Sequence, residues 1–413
     1  MFPRLLACLL LSFLFHFAQS QTGYVPLLSQ PDNLPGLVAE MEKRHRDFMK
    51  NLPAKTHEKF IEFYTGRHAY VLSSVKDGDY LFSPELQSYF DNILQEIYAA
   101  NRDIPAAGIK LFISRSPEPN ASSLGDGTLL FNIGLLSRLE NESQIAFILC
   151  HEIAHFQLSH AEVALKKYVE ASESKATQRE LKRISKSQVG AYSQAAELLK
   201  TIVYDDRRHS REHEREADAL GIKYLQNTCY DSREAQRCMD ILENIDKAKY
   251  ADSLDLKACF DHPAYPFKAE WLKEEQTLAF SGDANDDDVF HPDSIQTHPD
   301  CPERKRLMES ALISFSSETK EKNRQAASHF DSLVRTADFE IIESLYFYDF
   351  SAESMYQALQ LLRKYSDEPY LEGMVGMNFF KIYQALIDHD MDRQVPLPSP
   401  HQEKHFKQFV QFI

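Results

Sequence analysis

Apolar residues recur at intervals of three and four positions through most of this chain, which is the spacing of one face of an α-helix. The helices that this spacing predicts before residue 230 include 37–49, 57–64, 86–98 and 211–226. Two short runs, at 108–114 and 128–132, are dense in apolar residues and bounded by glycine or proline, which is typical of strands. The pattern therefore predicts an α+β protein that is mostly α, with a small β-sheet.

Beyond residue 311 the helical spacing returns in two stripes. The first stripe consists of Met355, Leu359 and Leu362, and the second consists of Leu371, Val375, Ile382 and Leu386. A break at 366–369 predicts that the two helices form a hairpin, for which a tetratricopeptide-like repeat is one interpretation. Because no repeat of about 34 residues is visible, ordinary helix packing is the favoured interpretation.

The first twenty residues have the pattern of a secretory signal peptide. Arg4 supplies a positive charge, an apolar stretch follows at 5–17, and the small residues Ala18 and Ser20 suit a cleavage site. The apolar stretch is too short to span a bilayer comfortably, and no later stretch reaches about 18 apolar residues. We therefore predict a signal peptide at 1–20 and an exported protein, periplasmic or secreted, with no integral membrane segment.

The chain is acidic, with 46 Lys and Arg against 62 Asp and Glu and a net charge of −16. Neutralising phosphates requires clustered cations, so this balance argues against nucleic acid as a partner. It also argues against docking on anionic lipid.

The predicted export determines which oxidation state we expect for the cysteines. An oxidising compartment would favour two disulfides among the last four cysteines. Those cysteines are Cys229, Cys238, Cys259 and Cys301. Cys150 follows the apolar run 145–149, which predicts a buried free thiol.

The sequence His-Glu-Ile-Ala-His at 151–155 carries the main chemical signal. Residues i and i+4 share a helix face, so His151 and His155 can direct their imidazoles at one zinc ion. Glu152 lies close enough to act as general base toward the attacking water. A helix start at Asn141 predicts that this helix runs to about residue 160.

The predicted helix at 211–226 offers a third ligand. Glu214 would complete a His₂Glu site with one open position. Asp218 follows one turn later, on the same face, and could hold a ligand histidine by its other ring nitrogen.

Other candidate ligands fit less well. A metzincin would need histidine where this chain has Ala161, and Glu170 and Glu173 have no aspartate four residues later. Glu212 and Glu216 point to other faces of the helix than Glu214. His160, His209 and His213 are predicted to be solvated or packing residues rather than ligands.

Several further motifs accompany the two helices. They are Ser116-Pro117-Glu118-Pro119-Asn120-Ala121, the run 127–132, Gly134-Leu135-Leu136, and Thr297-His298-Pro299 followed by Arg304. Together with the two helices they resemble the zinc endopeptidases of the CAAX prenyl protease and HtpX family over about residues 105–310. Because the chain lacks the transmembrane helices of the membrane-embedded members, it is more similar to the exported, soluble BepA-like branch.

The resemblance implies a zincin-type catalytic domain at 105–310. An N-terminal helical segment at 21–104 would pack on this domain, and a helical C-terminal region would occupy 311–413. The BepA-like branch carries helical repeats in that C-terminal region.

The resemblance also implies the site. One Zn²⁺ per chain would be held by His151, His155 and Glu214, with Glu152 as base and Asp218 in support. The strand at 128–132 would present an edge to which an extended polypeptide adds by β-augmentation. The residues of that edge would be Leu129, Leu130, Phe131 and Asn132.

The resemblance leaves two alternative roles for His298. It could donate a hydrogen bond to the tetrahedral oxyanion, with Arg304 supporting the site. It could instead occupy the open position on zinc and keep the enzyme latent. A structural histidine before Pro299 is the alternative to both.

These motifs favour an exported zinc endopeptidase that acts on misfolded or unassembled envelope proteins. The alternative is a chaperone-like or scaffold protein that binds an envelope partner through its C-terminal helices and has a latent zinc site. An aminopeptidase or a narrow processing enzyme would share the zinc chemistry. Cleavage only at termini, or at a single site, would identify such an enzyme.

Overall fold

A computed structural model describes residues 23–52, 58–175, 211–245, 253–272, 301–313, 325–396 and 403–413, with single positions at 179, 182, 183, 247, 249 and 250. The predicted signal peptide at 1–20 and the residue His298 lie outside the described residues. The described part is mostly helical and contains one small sheet, which confirms the predicted fold class.

The helices are numbered in chain order over the described residues. They are α1 (Leu34–Asn51), α2 (Glu58–Asp77), α3 (Pro84–Ala100), α4 (Ile133–Leu136), α5 (Glu142–Gln157), α6 (His160–Glu173), α7 (211–226), α8 (Glu234–Glu243), α9 (Leu256–Phe260), α10 (Cys301–Ile313), α11 (Gln325–Phe347), α12 (Ser351–Leu362), α13 (Pro369–Asp388), α14 (Met391–Gln394) and α15 (Lys404–Phe412). The strands are β1 (Lys110–Ser114), β2 (Ala121–Ser123) and β3 (Thr128–Asn132). Across these described ranges, no helix has both the length and the apolar character that a membrane span requires.

The sheet has the order β1-β3-β2, so β3 is its central strand. β3 runs parallel to β1, with Lys110 opposite Thr128, and antiparallel to β2, with Ala121 opposite Phe131. The predicted strand at 128–132 is therefore present, but the prediction that it offers a free edge is wrong. The segment 121–123 folds back as β2 and covers that edge. The residues affected are Leu129, Leu130, Phe131 and Asn132.

Helix α5 begins as its sequence predicts and ends earlier. The Asn141 side chain accepts a hydrogen bond from the backbone N–H of Gln144 at 3.1 Å, which satisfies a donor of the first turn. The helix is buried from Gln144 through Ala154, which explains its apolar composition. It ends at Gln157 because Ser159 adopts a left-handed backbone conformation with φ of 55°.

The described residues divide into two compact units. The larger unit comprises the described parts of 28–246 and 280–335, and the smaller unit comprises those of 1–27, 247–279 and 336–413. In this division α1 to α3 belong to the same unit as the sheet and α5, and the boundaries at 104 and 310 stay predictions. Residues near 250–260 belong instead with the C-terminal helices.

The smaller unit has its own hydrophobic core. Phe339 and Ile342 of α11 pack with residues of α12 and α13, which confirms the two predicted C-terminal helices and their association. Tyr24 and Tyr250 pack against the same cluster, and this contact explains why 23–27 and 249–250 group with the C-terminal helices. The Tyr24 hydroxyl also donates a hydrogen bond to the buried Glu340 at 2.5 Å.

The five described cysteines are all free, so the expectation of two disulfides among Cys229, Cys238, Cys259 and Cys301 is wrong. Packing accounts for this at Cys238, whose sulfur faces α5 and lies 3.8 Å from the carbonyl oxygen of Gln144. Cys150 is a buried free thiol, as predicted, and burial raises the pKa of that thiol.

Candidate active site

The two histidines of the 151–155 motif converge on one point beside α5. They lie one turn apart, and their Nε2 atoms are 3.0 Å from each other. His151 is buried, whereas the His155 side chain keeps 16% of its surface exposed. Glu152 is only 3% exposed, and it borders the same cavity as His151.

Helix α7 brings a carboxylate to that point. The Glu214 oxygens lie 3.5 Å from Nε2 of His151 and 3.3 Å from Nε2 of His155. A tetrahedral ion with bonds of about 2.0–2.1 Å separates its ligand atoms by about 3.3 Å, so these spacings suit a metal. The three residues form a group that could hold a metal ion.

Gly221 allows α7 to approach α5 this closely. A Cβ atom at this position would lie 3.1 Å from both Cα and N of His151, which is tighter than ordinary contacts. Gly221 follows Glu214 by seven residues, or two helical turns, so it lies on the same face of α7. Any larger side chain at position 221 would therefore separate Glu214 from the histidines.

A second carboxylate and a buried arginine lie behind the three residues. Asp218 lies 3.0 Å from Nδ1 of His151. Arg304 of α10 donates two hydrogen bonds of 2.7 Å to Asp218, and its third nitrogen lies 2.8 Å from Glu214. Arg304 is 2% exposed, so its charge acts on the two carboxylates with little screening by water.

These charges set the protonation of the site. Burial by itself lowers the pKa of His151, but hydrogen bonds to Asp218 and Glu214 outweigh it and raise the pKa to about 10. Burial raises the pKa of Asp218, but Arg304 and His151 more than compensate and the net shift is downward. A metal that binds His151 must therefore displace a proton from it.

A cavity with mainly apolar walls adjoins Glu152 and His151. Its apolar lining consists of Leu135, Phe147, Ile148, Met239 and Leu242. Pro119, Asn120 and Ala121 border the cavity from the segment that leads into β2. The space next to Glu152 is therefore bordered both by an apolar surface and by the start of β2.

The structure thus brings together most of the side chains that the sequence singles out. His151, Glu152, His155, Glu214, Asp218 and Arg304 lie within one site, and Arg304 contacts the carboxylates from behind. The four residues of β3 do not form an edge to this site, for the reason given above. His298 lies outside the described residues.

Sequence reasoning missed two contributors. Gly221 could have been predicted from the sequence, because a glycine two turns from a ligand on the same helix face indicates a close helix crossing. His160 could not have been predicted in this way, because five residues after His155 it would point away from the site on an uninterrupted helix. His160 is nonetheless buried, and burial together with the neighbouring His155 ring lowers its pKa.

A family model and two curated proteins are similar to parts of this chain. The model of Peptidase family M48 matches residues 84–311. The mitochondrial metalloendopeptidase OMA1 of Bos taurus is 29% identical over 190 residues, which are 44% of this chain and 33% of that protein. A protein of Vibrio cholerae serotype O1 with the provisional name beta-barrel assembly-enhancing protease is 27% identical over 154 residues. These residues are 36% of this chain and 31% of that protein. The match thus spans about a third of the length of each relative.

Proposed function

This chain belongs to peptidase family M48, whose members are metallopeptidases, and from that premise we propose that it is an exported zinc-dependent endopeptidase. The observation that carries the proposal is the convergence of His151, His155 and Glu214 on one point. Glu152 occupies the next position on the same helix as His151. A site with two imidazoles, one carboxylate and a neighbouring base suits hydrolysis of a peptide bond.

We propose that one Zn²⁺ binds to His151, His155 and Glu214. Two neutral nitrogens and one carboxylate match the donor set of catalytic zinc sites, in which one position stays open for water or substrate. Zinc bound there would polarise the scissile carbonyl and make the attacking water more acidic.

Glu152 is proposed as the general base. Its carboxylate accepts a proton from the attacking water and delivers it to the amine that leaves when the C–N bond breaks. The burial of Glu152 beside the cavity supports this role, because a base that is shielded from solvent is available to the water within the site.

Asp218 and Arg304 are proposed as supporting residues. Asp218 holds the Nδ1–H of His151, which directs the Nε2 lone pair of His151 toward the metal position. Arg304 contacts both Asp218 and Glu214, and its positive charge reduces the repulsion between the two carboxylates, so they can be buried side by side. For His298, we propose donation to the oxyanion, and latency through zinc's open position is the competing role.

Polypeptide is the proposed substrate, and β2 replaces β3 as the proposed docking edge. Asn120 accepts a hydrogen bond from Asn132 at 3.0 Å, and Leu124 donates one to Thr128 at 2.9 Å, so both face β3. Antiparallel strands alternate in the direction of their backbone groups, so Ala121 and Ser123 direct theirs away from β3. An extended substrate could pair with these groups beside the cavity.

The biological role is proposed more broadly. The signal-peptide pattern at 1–20 and the name of the Vibrio cholerae relative support action on misfolded or unassembled envelope proteins in the periplasm. The helices of the smaller unit are proposed to bind an envelope partner.

Cleavage of an unfolded, dye-quenched protein by residues 21–413 tests the proposal. We expect turnover that a chelator abolishes and Zn²⁺ restores, and a loss of about 10²- to 10⁴-fold in kcat for Glu152→Gln. Glu62→Gln, on the exposed surface of α2, serves as the matched control and should cleave normally.

Three outcomes would redirect the proposal. Equal turnover in wild type and Glu152→Gln would remove Glu152 as base. No turnover in either protein, together with gain of activity in His298→Ala, would identify a latent enzyme, whereas continued inactivity would favour the scaffold function. Products cut only at termini would indicate an aminopeptidase.

A further inference from the structure

His160 reaches the candidate metal site because the chain turns sharply after α5. The left-handed backbone of Ser159 separates α5 from α6, and His160 is the first residue of α6. On an uninterrupted helix, residues five apart differ by about 140° and do not meet. The turn instead brings Nδ1 of His160 to 2.9 Å from Nδ1 of His155, which is hydrogen-bonding distance.

The protons of this contact have one arrangement that leaves His155 able to bind a metal. His155 points its Nε2 at His151 and Glu214, so Nε2 must carry a lone pair. The proton of a neutral His155 then lies on Nδ1 and is donated to Nδ1 of His160. As an acceptor at Nδ1, a neutral His160 carries its own proton on Nε2.

The far side of His160 accommodates that proton. Its Nε2 lies 3.1 Å from a carboxylate oxygen of Glu216, which accepts the hydrogen bond. His213 stacks on the His160 ring, with centroids 4.3 Å apart and planes at 12°. Glu216 and His213 both belong to α7, the helix that carries Glu214, so one element supplies a ligand and fixes the His160 ring.

We infer that His160 is a positioning residue for His155, linking it to Glu216 through a chain of two hydrogen bonds. The inference rests on the proposed metal site and extends it. Each ligand histidine then has its own support, since Asp218 contacts Nδ1 of His151 and His160 contacts Nδ1 of His155. A hydrogen bond at Nδ1 fixes the tautomer and orientation of a ligand imidazole and strengthens its coordination of the metal.

The test compares two substitutions of similar size. His160→Leu fills the space but cannot accept a hydrogen bond, whereas His160→Asn retains an acceptor oxygen close to the position of Nδ1. Zn²⁺ affinity is measured on residues 21–413 by competition with a chromophoric chelator, without any substrate. The visible spectrum of the Co²⁺-loaded protein reports the metal's ligands independently.

We expect His160→Leu to weaken Zn²⁺ binding by about 10- to 100-fold and to alter the Co²⁺ spectrum, and His160→Asn to stay much closer to wild type. Glu216→Ala changes a side chain that is 62% exposed, so it cannot unfold the core, and we expect a smaller loss of affinity. Urea unfolding of each metal-free variant verifies that the fold is intact.

Three results would overturn the inference. Unchanged affinity in His160→Leu would show that His155 needs no partner at Nδ1. Equal losses in His160→Leu and His160→Asn would assign His160 to packing, and the proposed peptidase function would survive both results. Failure of wild type to bind Zn²⁺ would overturn the proposed metal site as well.

Discussion

Asp218 lies 3.0 Å from Nδ1 of His151, on the side of the ring opposite the Nε2 atom that faces Glu214. The two carboxylates are one turn apart on α7, so a single helix contacts both nitrogens of one imidazole. This arrangement needs a compensating positive charge, because two carboxylates buried together repel each other. Arg304 supplies it from α10.

Arg304→Met should therefore destabilise the metal-free protein by about 3–5 kcal/mol, since Asp218 and Glu214 stay buried and lose the guanidinium that contacts both. The measurement is urea unfolding followed by circular dichroism. Arg215→Met is the control, because Arg215 pairs with Glu303 at an exposed site, and it should change stability by less than about 1 kcal/mol. Similar effects of the two substitutions would contradict the central role of Arg304.

Gly221→Val should separate α7 from α5. Its side chain would press on the His151 backbone and cost about 1–3 kcal/mol of stability by overpacking. Displacement of Glu214 should also weaken Zn²⁺ binding, which chelator competition measures.

Gly66→Ala provides the opposite control. A Cβ at this exposed position of α2 meets nothing within 4 Å, so alanine should stabilise the protein by about 0.5–1 kcal/mol. If Gly221→Val bound Zn²⁺ as wild type does, the close crossing of α5 and α7 would not be what sets the site.

Ser123→Pro tests the β2 edge. It removes a backbone N–H that points away from β3, so it should raise KM for an unfolded protein while leaving Zn²⁺ affinity unchanged. Ser122→Pro removes an inward-facing donor and should instead lower the stability of the sheet. An unaltered KM in Ser123→Pro would exclude pairing of the substrate at that position.

Thiol labelling tests the cysteine assignments. Cys259 is exposed and should react first with a maleimide under native conditions. Cys150 and Cys238 are buried and have raised thiol pKa values, so both should react only after unfolding. Mass spectrometry of the labelled peptides provides the measurement, and a disulfide-linked peptide from a non-reduced digest would contradict the free thiols.

The sequence was sufficient for elements whose signal is local. The cap at Asn141 and the apolar face predict helix α5. Helix geometry then predicts that His151 and His155, four residues apart, lie on the same face. The helical region at 211–226 and the bounds of β3 were likewise readable, because periodicity depends on neighbouring residues only. Glu214 could be paired with the histidines because a metal motif with two histidines restricts the third ligand, and Asp218 follows it by one turn on the same helix face.

What only the tertiary structure decided depends on contacts between distant segments. The short β2 has almost no periodicity of its own and forms because it pairs with β3. As a result β2, and not β3, lies at that edge of the sheet. Arg304 could be placed behind the carboxylates only once α10 was packed against α7. His160 joined the site through the left-handed turn at Ser159, a backbone state that no local pattern here predicts. The sequence by itself thus determined which groups are candidates for the chemistry. Packing decided which groups hold them in place, because orientation depends on the whole surrounding structure rather than on spacing along one helix.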